Sequence, residues 1–138
     1  MHVVGGGTRI LVVEDDPSQR ELLGSALAEA GYAVRMASSG QQALDYLVSG
    51  AEEPSLILLD LSMPVMSGWE FLAIAKSYAR LAQIPVVLVS GESPRHLPLL
   101  HGAVAAHLSK PIDLMTVFDA VSRFARRPSA SAAIMGAQ

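Results

Sequence analysis

Cysteine is absent from the 138 residues, so the chain can form neither a disulfide nor a thiolate metal site. Charge is sparse: 17% of residues are charged and the formal net charge is −3, which leaves no basic footprint for a nucleic acid. The arginines near the end, Arg123, Arg126 and Arg127, fall where they would favour the C-terminal end of a helix. No apolar run approaches the ~20 residues that span a bilayer, and the opening MHVVGGGTR lacks the basic-then-apolar pattern of a signal peptide. A cytoplasmic protein with no membrane partner is expected. Internal repeats are missing too, and the length leaves no room for a second domain.

Apolar residues, by contrast, make up 51% of the chain, enough for a sizeable core in one domain of this length. They come in short runs. The rest is organised around Leu56–Gly68, LILLDLSMPVMSG, in which four aliphatic residues deliver Asp60 and the chain then breaks at Met63-Pro64 and Ser67-Gly68. The run is too short for a typical helix and reads as a strand buried on both faces. A charge inside it would be costly, so Asp60 is expected at the strand's mouth, where open parallel sheets place their ligand sites.

The remaining segments alternate in the same way. After a flexible lead-in over residues 1–8, Arg9–Val13 is an apolar run ending in Glu14-Asp15-Asp16. An Asp cap, Pro17 at the first helical position and Gln19 three residues past the cap predict a helix with the stripe Leu23, Ala26, Leu27 and Ala30, stopping at Gly31. Tyr32–Ala37 is a second strand, and Ser39 opens a helix through Leu44 and Leu47 to Gly50. Ser67 and Glu70 have capping-box spacing for a helix through Phe71, Leu72, Ala75 and Tyr78. Ile84–Ser90 is a fourth strand, followed by Gly91. The segment ESPRHLPLLHG is irregular, since Pro98 would lie inside any helix begun at Pro94. Ala105–Ser109 is a fifth strand ending at Lys110-Pro111, and Asp113 caps a last helix with the stripe Leu114, Val117, Val121 and Phe124. Residues 128–138 read as a disordered tail. Five strands alternating with five helical segments predict an α/β fold, a doubly wound parallel sheet with helices on both faces.

Strand ends carry the chemistry: Glu14 and Asp15 after the first, Asp60 after the third, Ser90 after the fourth, Lys110 after the fifth. In a sheet of order 2-1-3-4-5 these open on one crevice. Converging carboxylates would repel one another unless a cation joined them, and hard oxygen donors with space for water select Mg²⁺. Any one of these residues has an ordinary use, as a helix cap, a turn former or a solvated loop. Their order along successive strands points instead to an aspartyl-phosphate chemistry, with Asp60 as nucleophile and Lys110 as a compact compensating charge.

ILVVEDDP at Ile10–Pro17, LILLDLSMPVMSG at Leu56–Gly68, IPVVLVSG at Ile84–Gly91 and SKP at Ser109–Pro111 together resemble the receiver domain of two-component response regulators, over about Arg9 to Arg127. The resemblance implies a flavodoxin-like, three-layer (βα)5 sandwich, a receiver domain over 9–127, and Asp60 as the phosphorylated residue. It implies Mg²⁺ held by Glu14, Asp15, Asp60 and the backbone carbonyl of Ser62. Ser90, Gly91 and Lys110 would bind the phosphoryl group, and the Lys110-Pro111 peptide would be cis. A histidine kinase or histidine phosphotransfer protein would be the donor. Output would pass through the fourth helix, fifth strand and last helix to an unknown protein partner, since no DNA-binding or catalytic output domain follows Arg127. Such a module catalyses only its own phosphoryl transfer and dephosphorylation, and a homodimer is left open.

Departures from the family pattern are concentrated near the output face. The switch aromatic, three residues before the lysine, is His107, which would swing behind Ser90 and make the output conformation sensitive to pH. The segment between Ser90 and Lys110 is about two residues shorter than the family's usual one. Glu14 replaces the commoner Asp. Rival readings are a receiver that binds partners without being phosphorylated, a haloacid-dehalogenase-like phosphatase and a flavodoxin-like flavin carrier. The phosphatase wants a second Asp where Ser62 stands, and the flavin carrier wants a phosphate loop where Glu14-Asp15-Asp16 would repel it.

Overall fold

The computed structural model describes residues 7–50, 52–61, 68–91 and 104–126. Five parallel strands, β1 (Arg9–Val13), β2 (Ala33–Ala37), β3 (Leu56–Asp60), β4 (Val86–Ser90) and β5 (Ala106–Ser109), lie in the order 2-1-3-4-5. Helices α1 (Pro17–Glu29), α2 (Gly40–Ser49), α3 (Gly68–Ser77), α4 (Ala79–Ala82) and α5 (Leu114–Phe124) complete the described elements. Every residue of β3 and of β4 is buried, as runs of LILLD and VVLVS require, whereas the edge strands β2 and β5 are largely half-exposed or exposed.

Alternation along the central strands divides the interior into two cores. Leu11, Val13, Ile57, Leu59, Val86 and Leu88 face α2 and α3 and meet Leu44, Leu47, Phe71 and Leu72. Ile10, Val12, Leu56, Leu58, Val87 and Val89 face the other way and meet Leu23 and Leu27 of α1 and Val117 and Val121 of α5. The result is three layers, with the central strands β1, β3 and β4 serving both faces.

The helix starts follow from their caps. Asp16 accepts from the Ser18 amide, Ser39 from the Gln42 amide and Asp113 from the Met115 amide. Gly50 ends α2 at φ 68°. Gln19 does not close the expected capping box: Glu14 Oε2, already beside the loop, accepts from the Asp16 amide at 3.2 Å, and Gln19 Oε1 is buried with no partner among the described residues. The helix expected to run through Tyr78 breaks there instead. Ser77 Oγ donates to the Ile74 carbonyl, Tyr78 turns extended, and α4 restarts so that Leu81 reaches the core. β4 begins at Val86 rather than Ile84, because the Ile84 amide is taken by the Leu81 carbonyl and Pro85 has no N–H for a ladder. The expected irregular segment at 92–103, the tail beyond Arg126 and the lead-in to residue 6 lie outside the described residues, as does the capping role of Ser67.

At the end of the sheet where the strands begin, the residues before β3 tie several elements together. Glu53 pairs with Arg80 of α4 at 3.0 Å and with Arg126, two residues past α5, at 3.2 Å. Arg80 also donates to the Leu47 carbonyl of α2, the Arg126 amide donates to the Ser55 carbonyl, and Glu52 pairs with Arg9 of β1.

Candidate functional site

At the opposite end, strands β1, β3, β4 and β5 bring the sequence-predicted polar residues to one crevice. The Glu14 amide continues the sheet by donating to the Ala37 carbonyl at 3.0 Å, which sets its side chain at the top of β1, buried. Asp60, the last residue of β3, is 3% exposed, and Ser90, the last of β4, is 1% exposed. The Lys110 amide donates to the Ser90 carbonyl at 2.9 Å, so β5 delivers the lysine stem beside β4. From there Nζ lies 3.4 Å from Asp60 Oδ1 and 3.8 Å from Glu14 Oε1. The Lys110-Pro111 peptide is cis. Gly91 follows Ser90 at the surface, and a Cβ there would be 4.0 Å from Lys110 Cβ, an open and uncrowded position.

One oxygen from each of Glu14, Asp15 and Asp60 lies within 4.8 Å of the others. Burial pushes the Glu14 carboxyl up to about 7; the Asp16 amide opposes this, the negative charge and hydrogen bond of Asp60 add to it, and Lys110 opposes it. Two buried acids in contact, a third half-buried beside them and one ammonium form an oxygen-only donor set with excess negative charge. That set fits a hard divalent cation of the Mg²⁺ type.

Ser62 lies outside the described residues. His107 is half-buried on β5, opposite Leu88, while Ser90 is opposite Ser109. Residues two apart share a face, so His107 projects on the same sheet face as Leu88 and Ser90, one pleat below the hydroxyl.

Two contributors were not anticipated from the residue pattern. Arg20, in the first turn of α1, donates from Nη1 to the carbonyls of Glu14 at 3.0 Å and Asp15 at 3.2 Å. Gly68 starts α3 so close to the top of β3 that a Cβ would lie 2.6 Å from both the Asp60 carbonyl oxygen and Leu61 Cα; its amide donates to the Leu61 carbonyl. A basic residue one turn into the helix after an acidic loop, and a glycine eight residues beyond a strand-end aspartate, were the available signals.

A parallel sheet of this order with an acid cluster and a lysine at its mouth is the architecture of a signalling receiver. The family model for the response regulator receiver domain matches residues 10–122, and the chain belongs to that family. Receivers of this family bind Mg²⁺ in an acidic pocket and work with histidine kinases or phosphotransfer proteins in two-component signalling. The two-component response regulator ORR5 of Oryza sativa is 35% identical over 126 residues, covering 88% of this chain and 92% of that protein. Chemotaxis protein CheY4 of Vibrio cholerae superposes with a TM-score of 0.79 at 27% identity, over 86% of this chain and 98% of that one. Response regulator protein TrrA of Thermotoga maritima, solved in complex with Mg(2+)-BeF, gives 0.74 at 29% identity, over 85% and 98%. Among the described residues no helix is long and apolar enough to cross a membrane.

Proposed function

We propose that this chain is a phosphoacceptor in which Asp60 takes a phosphoryl group from the phosphohistidine of a histidine kinase or histidine phosphotransfer protein. The observation that carries this reading is the clustering of three carboxylates, Glu14, Asp15 and Asp60, with the Lys110 ammonium 3.4 Å from Asp60 and 3.8 Å from Glu14. Burying like charges side by side works against folding and suits group transfer. A carboxylate oxygen of Asp60 attacks phosphorus, the P–N bond breaks, and the imidazole leaves with the bonding electrons and retains a proton. Mg²⁺ held by Glu14, Asp15, Asp60 and the Ser62 carbonyl would neutralise charge on the transferring group; the Mg(2+)-BeF complex of TrrA supports this ligand chemistry.

Lys110, the Ser90 hydroxyl and Gly91 then satisfy the phosphoryl oxygens. Phosphorylation adds about −1.5 to −2 charges, which draws Ser90 and Lys110 inward. His107, on the face of Ser90, follows as the switch residue and biases an output surface whose described parts are β5 and α5. Output goes to a protein partner in the cytoplasm, with the chain catalysing only its own phosphoryl transfer and dephosphorylation. The second reading, a phosphorylation-independent binding module, is favoured by one observation, the histidine at position 107.

Intact mass after incubation with acetyl phosphate, with and without Mg²⁺, tests the choice. A Mg²⁺-dependent gain of one phosphoryl group, lost in Asp60→Asn, is expected. No gain under rapid quench, together with no binding of beryllofluoride, would overturn the phosphoacceptor reading in favour of the second.

A further inference from the structure

Resting on the metal site of that reading, we infer that Arg20 is a positioning residue for the acidic loop: it sets where Glu14 and Asp15 present their carboxylates to a divalent cation. The loop runs from Val13, the end of β1, to Asp16, the cap of α1, so only two residues lie between a rigid strand and a rigid helix. Three peptide planes cross it. The first is held by the Glu14 amide on the Ala37 carbonyl. The second carries the Glu14 carbonyl and the third the Asp15 carbonyl, and both are held by one guanidinium nitrogen, Arg20 Nη1, at 3.0 and 3.2 Å. The Asp16 amide on the third plane donates to Glu14 Oε2.

A peptide plane is rigid, so fixing the planes on both sides of a Cα fixes the direction in which its Cβ leaves. Arg20 thus holds two of the three planes that aim Glu14 and Asp15. Without it the Glu14 carboxylate and the Asp16 amide are still paired, yet both residues can rotate together about the loop. Arg20 is itself anchored, because its amide donates to the Asp16 carbonyl at 2.9 Å within the first turn of α1. A lysine keeps the charge and is one atom shorter, so it reaches the carbonyls poorly.

The test is an NMR titration with MgCl₂ of wild type, Arg20→Met, Arg20→Lys and Val121→Ala, at a temperature where circular dichroism shows each folded. Val121 is a buried core residue remote from the loop in sequence and serves as a general destabilisation control. Arg20→Met should weaken Mg²⁺ binding about tenfold, equal to about 1.4 kcal/mol, with Arg20→Lys between it and wild type and Val121→Ala unchanged. In metal-free protein the Asp15 and Asp16 amides should exchange faster in Arg20→Met than in wild type. Affinity of Arg20→Met within twofold of wild type, or an equal loss in Val121→Ala, would overturn the role of Arg20. Wild type showing no saturable shift would overturn the metal site itself instead.

Discussion

Gly68→Ala tests the closeness of α3 to the phosphoacceptor strand. The added carbon would stand 2.6 Å from the Asp60 carbonyl oxygen and from Leu61 Cα, and 3.2 Å from the Asp60 carbonyl carbon. Carbon atoms rest about 3.5–4.0 Å apart, so the helix start and the strand end must separate by roughly 0.9 Å. Both partners are backbone, so no side-chain rotation relieves the clash. Overpacking costs about 1–3 kcal/mol, and this case belongs at the upper end. At about 4 °C per kcal/mol for a chain of this size, the melting temperature should fall by about 10 °C. The comparison is Gly50→Ala, where φ is 68° and the nearest atom is 3.9 Å away: strain without a clash, about 1 kcal/mol and about 4 °C. Thermal and urea denaturation of both variants measure this. A Gly50→Ala loss equal to or larger than that of Gly68→Ala would refute the steric argument.

Glu14 should make the metal-free protein pH-sensitive. Its carboxyl stands at about 7 when folded against an ordinary 4.5, so its contribution to stability is fully present below pH 4.5 and is lost as pH rises through 7. The loss by pH 8 is at most about 3 kcal/mol, and the stability difference between wild type and Glu14→Gln in EDTA should drift accordingly; a difference constant from pH 4 to 8 would contradict it. Lys110→Met removes the cation 3.4 Å from Asp60 and 3.8 Å from Glu14, and should cost about 1–3 kcal/mol at pH 8 and less at pH 5. Urea unfolding at the two pH values checks this, with equal costs counting against it. Glu53→Gln breaks two partly exposed pairs and should cost no more than about 1 kcal/mol, falling further in 1 M salt; a loss above 2 kcal/mol would show that the knot is far stronger than its exposure implies.

Much of this molecule was legible as sequence. Strand ends were readable because LILLD and VVLVS are runs that only a doubly covered strand buries, and whatever polar residue closes such a run must sit at the rim. Caps at Asp16, Ser39 and Asp113 were readable because each acts on its own neighbours. The contributors that went unread act through backbone. Arg20 recognises two carbonyls, groups that every residue has, so a basic residue one turn into the helix was only a weak signal. Gly68 is required by a distance to Asp60 that exists only after folding. Glu14 and Gln19 competed for one amide, and nothing in their spacing said that the strand-end acid would be nearer. Tyr78 breaks a helix although it is neither glycine nor proline, because Leu81 gains burial by the restart.

The Glu53 knot gives the domain a heel. Arg126, just past the end of α5, is tied through Glu53 to α4 and through Ser55 to the lead-in of β3, while the other end of the helix begins three residues after Lys110-Pro111. A rod of 11 residues spans about 16 Å. Its two ends lie at different places in the fold: Leu114 follows the Lys110-Pro111 turn at the crevice, and Phe124 lies beside the Glu53 pairs. On the proposed reading, a partner that contacts α5 near Leu114 touches the end of the helix next to Lys110, and one that contacts Phe124 touches the end beside Glu53.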